Sequence, residues 1–193
     1  MEKIKNILNS SIKLKEILLR DEKLLETVKS LSDEMTNALK NKNRVFFCGN
    51  GGSAADAQHL AAELAGKFYF DRPPLPAEAL HVNTSYMTAV ANDYSYDEVY
   101  SRLIKAQATS GDVLVGISTS GNSANVVKAI NTANEMGLVT AGFTGKEVGK
   151  LNDICKYVIN IPSSDTPRIQ EAHILIGHII CERIERALFG NEN

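Results

Sequence analysis

The sequence has no tryptophan and only three cysteines, and no apolar run reaches the ~18 residues of a membrane-spanning helix. Its first residues, Met1-Glu2-Lys3-Ile4-Lys5-Asn6, lack the apolar stretch of a secretory leader. Cys48, Cys155 and Cys181 show no Cys-x-x-Cys spacing, so the expectation is reduced, mostly buried thiols in a reducing compartment, the cytoplasm. Lys and Arg total 21 against 23 Asp and Glu, a net charge of −2, which argues against a general basic field for nucleic acid. No Gly-Lys-Ser/Thr phosphate loop and no Gly-x-Gly-x-x-Gly fingerprint is present. No internal repeat, low-complexity tract or second-domain linker interrupts the 193 residues, which suffice for a sizeable core.

One stretch organises what is there. Val45-Phe46-Phe47 reads as a buried strand, Gly49-Asn50-Gly51-Gly52-Ser53 as a turn with Ser53 as helix N-cap, and an Ala-rich helix follows from Ala54 to about Phe68. Glycines let the backbone approach a ligand closely, and the helix start offers free N–H groups to an anion such as phosphate. His59 and Glu63, at i and i+4, lie roughly 40° apart on one helix face, close enough to share a proton or a metal.

Ahead of this stretch, residues 2–41 carry helical periodicity in two runs, with a bend at Arg20-Asp21-Glu22. These helices either cover the domain's own sheet or exchange between subunits as the centre of an oligomer. Residues 42–193 alternate strand and helix. Strands are expected at Arg44–Cys48, Ala79–Val82, Val113–Ile117, Val139–Phe143 and Tyr157–Ile161. Helices are expected at Ser85–Ala91, Asp97–Thr109 and Ala124–Met136, the last closed by Gly137, and a long one at Thr166–Leu188. Asn92-Asp93-Tyr94 is expected to break the helix before it. The fold class is therefore α/β, a doubly wound, five-stranded parallel sheet flanked by helices, with ligands at the carboxyl ends of the strands.

Ile117-Ser118-Thr119-Ser120-Gly121-Asn122-Ser123 follows the third strand as Gly49–Ser53 follows the first. Four hydroxyls, backbone N–H groups and a helix start capped by Ser123 make a phosphate cradle without lysine or arginine. The last helix opens with Arg168-Ile169-Gln170-Glu171 and carries His178 among Ile174, Leu175, Ile176, Ile179 and Ile180, where burial is expected. Gln170 and His178 sit about 80° apart around that helix and about 12 Å along it. His173 is the competing histidine, about 140° from His178, so the two should not serve one site.

Taken jointly, Gly49–Ser53, His59 with Glu63, Ala91-Asn92-Asp93, Ile117–Ser123 and Arg168–Glu171 through His178 resemble the sugar isomerase (SIS) fold and, within it, the phosphoheptose isomerase family. The resemblance runs over essentially the whole chain. It implies conversion of sedoheptulose 7-phosphate to D-glycero-D-manno-heptose 7-phosphate through an enediol, early in activated-heptose synthesis for lipopolysaccharide, capsule or S-layer glycans. It implies a homotetramer with sites at subunit contacts, and neither nucleic acid nor membrane as partner. By motif, Ser53, Ser118, Thr119, Ser120 and Ser123 would hold the phosphate, while Asn50, Gly51, Gly52, Asn92 and Asp93 would line the sugar site. His59, Glu63, Gln170 and His178 would bind one zinc ion per subunit. Glu63 and His178 would be the acid/base pair, with Glu63 as the carbon-directed base or with the two roles exchanged. Two rivals share the fold: a non-catalytic tetramer that binds the replication initiator DnaA, which the resemblance implies lacks the glutamate and the last histidine, and an isomerase of another phosphosugar such as a hexulose phosphate.

Overall fold

The structure, a computed structural model, describes residues 1–190. Five strands form one sheet: β1 (Val45–Gly49), β2 (Ala77–Ala79), β3 (Val113–Ile117), β4 (Val139–Thr144) and β5 (Tyr157–Asn160). Their order is β2-β1-β3-β4-β5 and every neighbouring pair is parallel. The helices are α1 (Glu2–Arg20), α2 (Glu22–Lys40), α3 (Gly52–Ala65), α4 (Thr84–Asp93), α5 (Val99–Gln107), α6 (Ala124–Glu135), α7 (Lys150–Ile154) and α8 (Thr166–Phe189).

Alternation along the strands sorts the core into two layers, because successive side chains point to opposite faces. Val45, Phe47, Val113, Val115, Ile117, Ala141 and Phe143 pack beneath α2, α3 and α8, whereas Phe46, Cys48 and Leu114 pack beneath α5 and α6. Both faces are covered, which is why the central strands read as continuous apolar runs. The expected bend is real: Asp21 separates α1 from α2 and caps α2 by accepting from the Leu24 N–H at 3.0 Å. Helix α2 buries Leu24, Val28, Leu31 and Met35, so it covers the domain's own sheet. Helix α1 buries only Leu14 and Leu18 and leaves Ile4, Ile7, Leu8, Ile12, Ile17 and Leu19 exposed. Among the described residues, no helix is long and apolar enough to cross a membrane.

Several boundaries differ from expectation. Helix α3 starts at Gly52, and its N-cap is Gly51 at φ 56°; Ser53 lies inside the first turn. A positive φ is cheap only for glycine, so the chain turns two residues earlier than a serine cap would have it. The α3 helix also ends three residues early, at Ala65. Strand β2 occupies Ala77–Ala79, pairing Ala77 with Val45, and the chain has turned away by Val82, whose N–H reaches back to the Ala79 carbonyl. Helix α4 continues through Asn92 and Asp93, which end the helix where a break before them was expected. A 3-10 turn, Tyr96–Glu98, precedes α5, and the short α7 was not anticipated.

Candidate active site

The chain winds to opposite sides of the sheet from the adjacent strands β1 and β3, so the crevice at their carboxyl ends is where a doubly wound sheet takes ligands. Both expected loops open there. Gly49 has no room for a side chain: a Cβ would fall 2.6 Å from the Ser53 carbonyl oxygen and 3.0 Å from that of Ile117. The loops are tied by a reciprocal amide pair that the sequence did not announce. Asn50 Nδ2 donates to Asn125 Oδ1 and Asn125 Nδ2 donates to Asn50 Oδ1, both at 2.9 Å. Tyr96 also donates to Asn50 Oδ1, at 3.1 Å, and Tyr100 donates to the Gly49 carbonyl at 2.5 Å. These acceptor contacts fix which face of the Asn50 amide offers its N–H groups.

The second loop gathers its hydroxyls around Ser118. Ser118 Oγ lies 2.9 Å from Ser123 Oγ and 3.4 Å from Ser120 Oγ, and the Ser123 N–H donates to it at 3.4 Å. Ser123 is the N-cap of α6 as expected, but its hydroxyl turns to Ser118 and no side-chain cap bond forms. Ser53 and Ser118 are buried, Thr119 and Ser123 half-buried, and Ser120 exposed. Gly51 and Gly52 stand open at the surface of the first turn. Asn92 and Asp93 are exposed at the end of α4, where Asn92 Nδ2 donates to Asp93 Oδ1 at 2.9 Å; among the described residues neither side chain bonds to the two loops.

Helices α3 and α8 bring three further side chains together. His59 Nε2 lies 2.9 Å from Glu63 Oε1 and 3.2 Å from His178 Nε2. One ligand atom from each of His59, Glu63 and His178 falls within 4.8 Å of the other two. A single proton on His59 Nε2 cannot serve both contacts, so the three atoms form an electron-rich set with too few protons. A cation of zinc's preferences, bound by imidazole nitrogen and carboxylate oxygen, fits that set. Gln170, the fourth expected ligand, lies over Gly52: a Cβ there would come 2.5 Å from Gln170 Nε2. It is therefore held at the start of the first loop's helix.

Of the two histidines of α8, His178 was expected to be buried and is not. His178 is half-buried, whereas His173 is fully buried, with Nε2 3.1 Å from the Thr144 carbonyl oxygen. Ile176 and Ile180 face the core from the far side of the helix, whereas Ile174, one turn before His178, shares its half-buried face, and the apolar pattern did not separate these positions. Burial pushes His173 down to about 4. Burial also lowers His178, reinforced by the neighbouring His59 and opposed by Glu63, so His178 favours its neutral, basic form. Asp56, one turn before His59, is a site neighbour that spacing did not single out. Its Oδ2 is buried without a hydrogen-bond partner, and burial raises its carboxyl to about 6 against the pull of His59.

A family model described as SIS domain matches residues 12–145. The chain is 48% identical over 189 residues to a phosphoheptose isomerase of Aneurinibacillus thermoaerophilus, covering 98% of this chain and 96% of that protein. A solved phosphoheptose isomerase from Neisseria gonorrhoeae superposes with a TM-score of 0.89 at 41% identity, over 95% of this chain and 97% of the other. Another, from Francisella tularensis, gives 0.91 at 32% identity, over 96% and 97%.

Proposed function

The chain belongs to the SIS domain family and is an aldose–ketose isomerase of its phosphoheptose isomerase type, and from there we propose how its own residues act on sedoheptulose 7-phosphate to give D-glycero-D-manno-heptose 7-phosphate. The observation that carries the reading is the convergence of His59, Glu63 and His178 beside two hydroxyl- and glycine-lined loops at one sheet edge.

Ser53, Ser118, Thr119, Ser120 and Ser123, with the N–H groups that open α6, hold the phosphate; the positive end of that helix favours the dianion. The Asn50 amide, set by Asn125 and Tyr96, meets the sugar hydroxyls along with the open backbone of Gly51 and Gly52. Asn92, Asp93 and Gln170 complete the sugar pocket. Glu63 takes the proton from C1 of the open-chain ketose as the C1=C2 double bond of a cis-enediol forms, and returns a proton to C2. His178, neutral at pH 7, moves the proton between O2 and O1. The reverse division, with His178 at carbon and Glu63 at oxygen, is chemically equivalent and is separated by the variants below.

His59, Glu63, Gln170 and His178 would hold a zinc ion, and the three convergent donor atoms of His59, Glu63 and His178 support this. When bound, zinc supplies a Lewis acid for the sugar carbonyl. The exposed apolar positions of α1 support a homotetramer packed through that helix of the 1–41 segment, whose α2 covers the domain's own sheet, ahead of residues 42–193 of the SIS domain. A cytoplasmic role in supplying heptose for lipopolysaccharide or capsule accords with this chemistry.

Incubating the purified protein with sedoheptulose 7-phosphate and, separately, with a six-carbon hexulose 6-phosphate tests the assignment. The expected result is aldose formation from the seven-carbon sugar, with kcat/KM at least about 100-fold above that for the hexulose. Equal or preferred turnover of the hexulose would assign another phosphosugar, and no turnover with added zinc would favour a DnaA-binding scaffold.

A further inference from the structure

Arg72 and Glu185 form an ion pair shut off from solvent. Arg72 Nε donates to Glu185 Oε1 at 2.9 Å, and the two side chains are 2% and 1% exposed. Taking both charges out of water is costly unless every remaining polar atom is satisfied. Here they are. The Glu185 carboxylate also accepts from the consecutive N–H groups of Phe68 (2.9 Å), Tyr69 (2.6 Å) and Phe70 (3.1 Å). Burial alone would raise its carboxyl, but these N–H groups and Arg72 outweigh it and hold the carboxyl below the usual range, ionised.

Both ends of the pair lead to the site. Arg72 Nη2 donates to the backbone carbonyl of Glu63 itself at 2.9 Å, and Nη1 donates to the carbonyls of Leu64, Gly66 and Pro73. These carbonyls include ones the last turn of α3 leaves without helical partners, and a cation is favoured at that end. Glu185 stands two turns beyond His178 on α8. By folding residues 68–70 around its carboxylate, it lays the Phe68 ring against the His178 ring, with centroids 5.7 Å apart. Besides the site's own contacts, His59 on His178 and Gln170 over Gly52, α3 meets α8 through apolar contact, notably Leu60 on Gly177, where a Cβ would come 2.5 Å from Leu60 Cδ2. Apolar contact sets a spacing but no direction; a guanidinium fork bound to five partners sets both.

We propose that Arg72 and Glu185 are positioning residues for the isomerisation: the pair fixes the register of α3, carrying His59 and Glu63, against α8, carrying His178. This rests on the reading of Glu63 and His178 as the acid/base pair. Neither positioning residue touches substrate; each acts through the backbone of Glu63 or through Phe68.

Glu185→Gln keeps an acceptor and removes the charge, while Arg72→Lys keeps the charge and removes the fork. Both are made in the full chain, beside wild type and Glu63→Gln, and their folding is checked by thermal melting. The first readout is the ring spectrum of protein labelled with 13Cε1-histidine, which has four histidines to report. The His59 and His178 signals are expected to move while those of His81 and His173 stay. The second is kinetic: kcat falls about 10- to 100-fold while KM changes less than about threefold, because misplacing a reacting group by about 1 Å costs rate. The pH profile of kcat/KM moves with it. If one variant fails to fold, the other carries the test.

Folded variants with unmoved His59 and His178 signals and wild-type kcat would overturn the proposal. So would equal displacement of all four histidine signals with an unchanged pH profile, which marks a merely structural pair. A wild-type protein as inactive as Glu63→Gln would instead remove the acid/base reading, and the positioning role with it.

Discussion

His178 Nε2 faces His59 Nε2 at 3.2 Å, and the same His59 nitrogen faces Glu63 Oε1 at 2.9 Å. Two imidazolium N–H groups cannot point at each other across that gap, so this corner of the crevice resists full protonation and attracts a cation. The account predicts about one zinc per subunit after dialysis against trace metal, and at least about a 10-fold loss of affinity in His59→Gln, read by chelator competition. Stripping the metal should lower activity, and adding zinc back should restore it. Equal affinity in His59→Gln would remove that residue from the ligand set.

Gly52→Ala tests Gln170 without touching it. The added methyl carbon would lie 2.5 Å from Gln170 Nε2 and 2.9 Å from Cδ, so the flexible amide end must move away. The fold should tolerate this, with a change in melting temperature of only a few degrees and kcat/KM down by about 10-fold or more, as expected for a displaced polar contact. Gln170→Ala should show the same loss. Wild-type kinetics in Gly52→Ala would mean that Gln170 does no work at the site.

Ser118 is the hub of the phosphate cradle, joined to both Ser120 and Ser123. Ser118→Ala removes one donor and loosens the other two hydroxyls. The expected effect is a rise in KM of about 10-fold, the worth of a hydrogen bond to a charged group, with kcat less affected. Inorganic phosphate should inhibit the variant correspondingly less. A fall in kcat with unchanged KM would place Ser118 in the chemistry instead.

His173 makes stability depend on pH. Its folded value is depressed to about 4 from 6.5, so between these limits the unfolded chain binds the extra proton and the native state does not. The stabilisation is complete above pH 6.5 and is lost as pH falls through about 4, a change of roughly 3 kcal/mol. Urea titrations from pH 7 to pH 4 should show this slope, and His173→Gln should flatten it. An equal slope in the variant would assign acid sensitivity to other groups.

Much of this architecture is legible in the sequence because its punctuation is local. Glycine and serine mark the two loops, and the apolar runs at Val45 and Val113 mark strands covered on both faces. Boundaries slipped where two residue types compete: Ser53 has the chemistry of a cap, but Gly51 has the backbone freedom that turns the chain first. His59 and Glu63 were visible because they share one helix. Asn125, 75 residues from Asn50, and Glu185, 113 residues from Arg72, were not, because each gains its meaning only when the sheet or the helix pair is assembled. The half-burial of His178, where burial was expected, has the same origin, since apolar residues precede and follow it and only the position of the sheet tells the helix faces apart.

The most direct test is the fate of the substrate hydrogens. Wild type, Glu63→Gln and His178→Gln, each confirmed folded, would be incubated with sedoheptulose 7-phosphate in deuterium oxide and followed by NMR. The account predicts aldose carrying deuterium at C2 from wild type, with aldose formation lost in the two variants; residual deuterium exchange at C1 of the ketose in only one of them assigns the carbon base to the other residue. Aldose formed at the wild-type rate by either variant would contradict the assignment of Glu63 and His178 as the groups that move the proton.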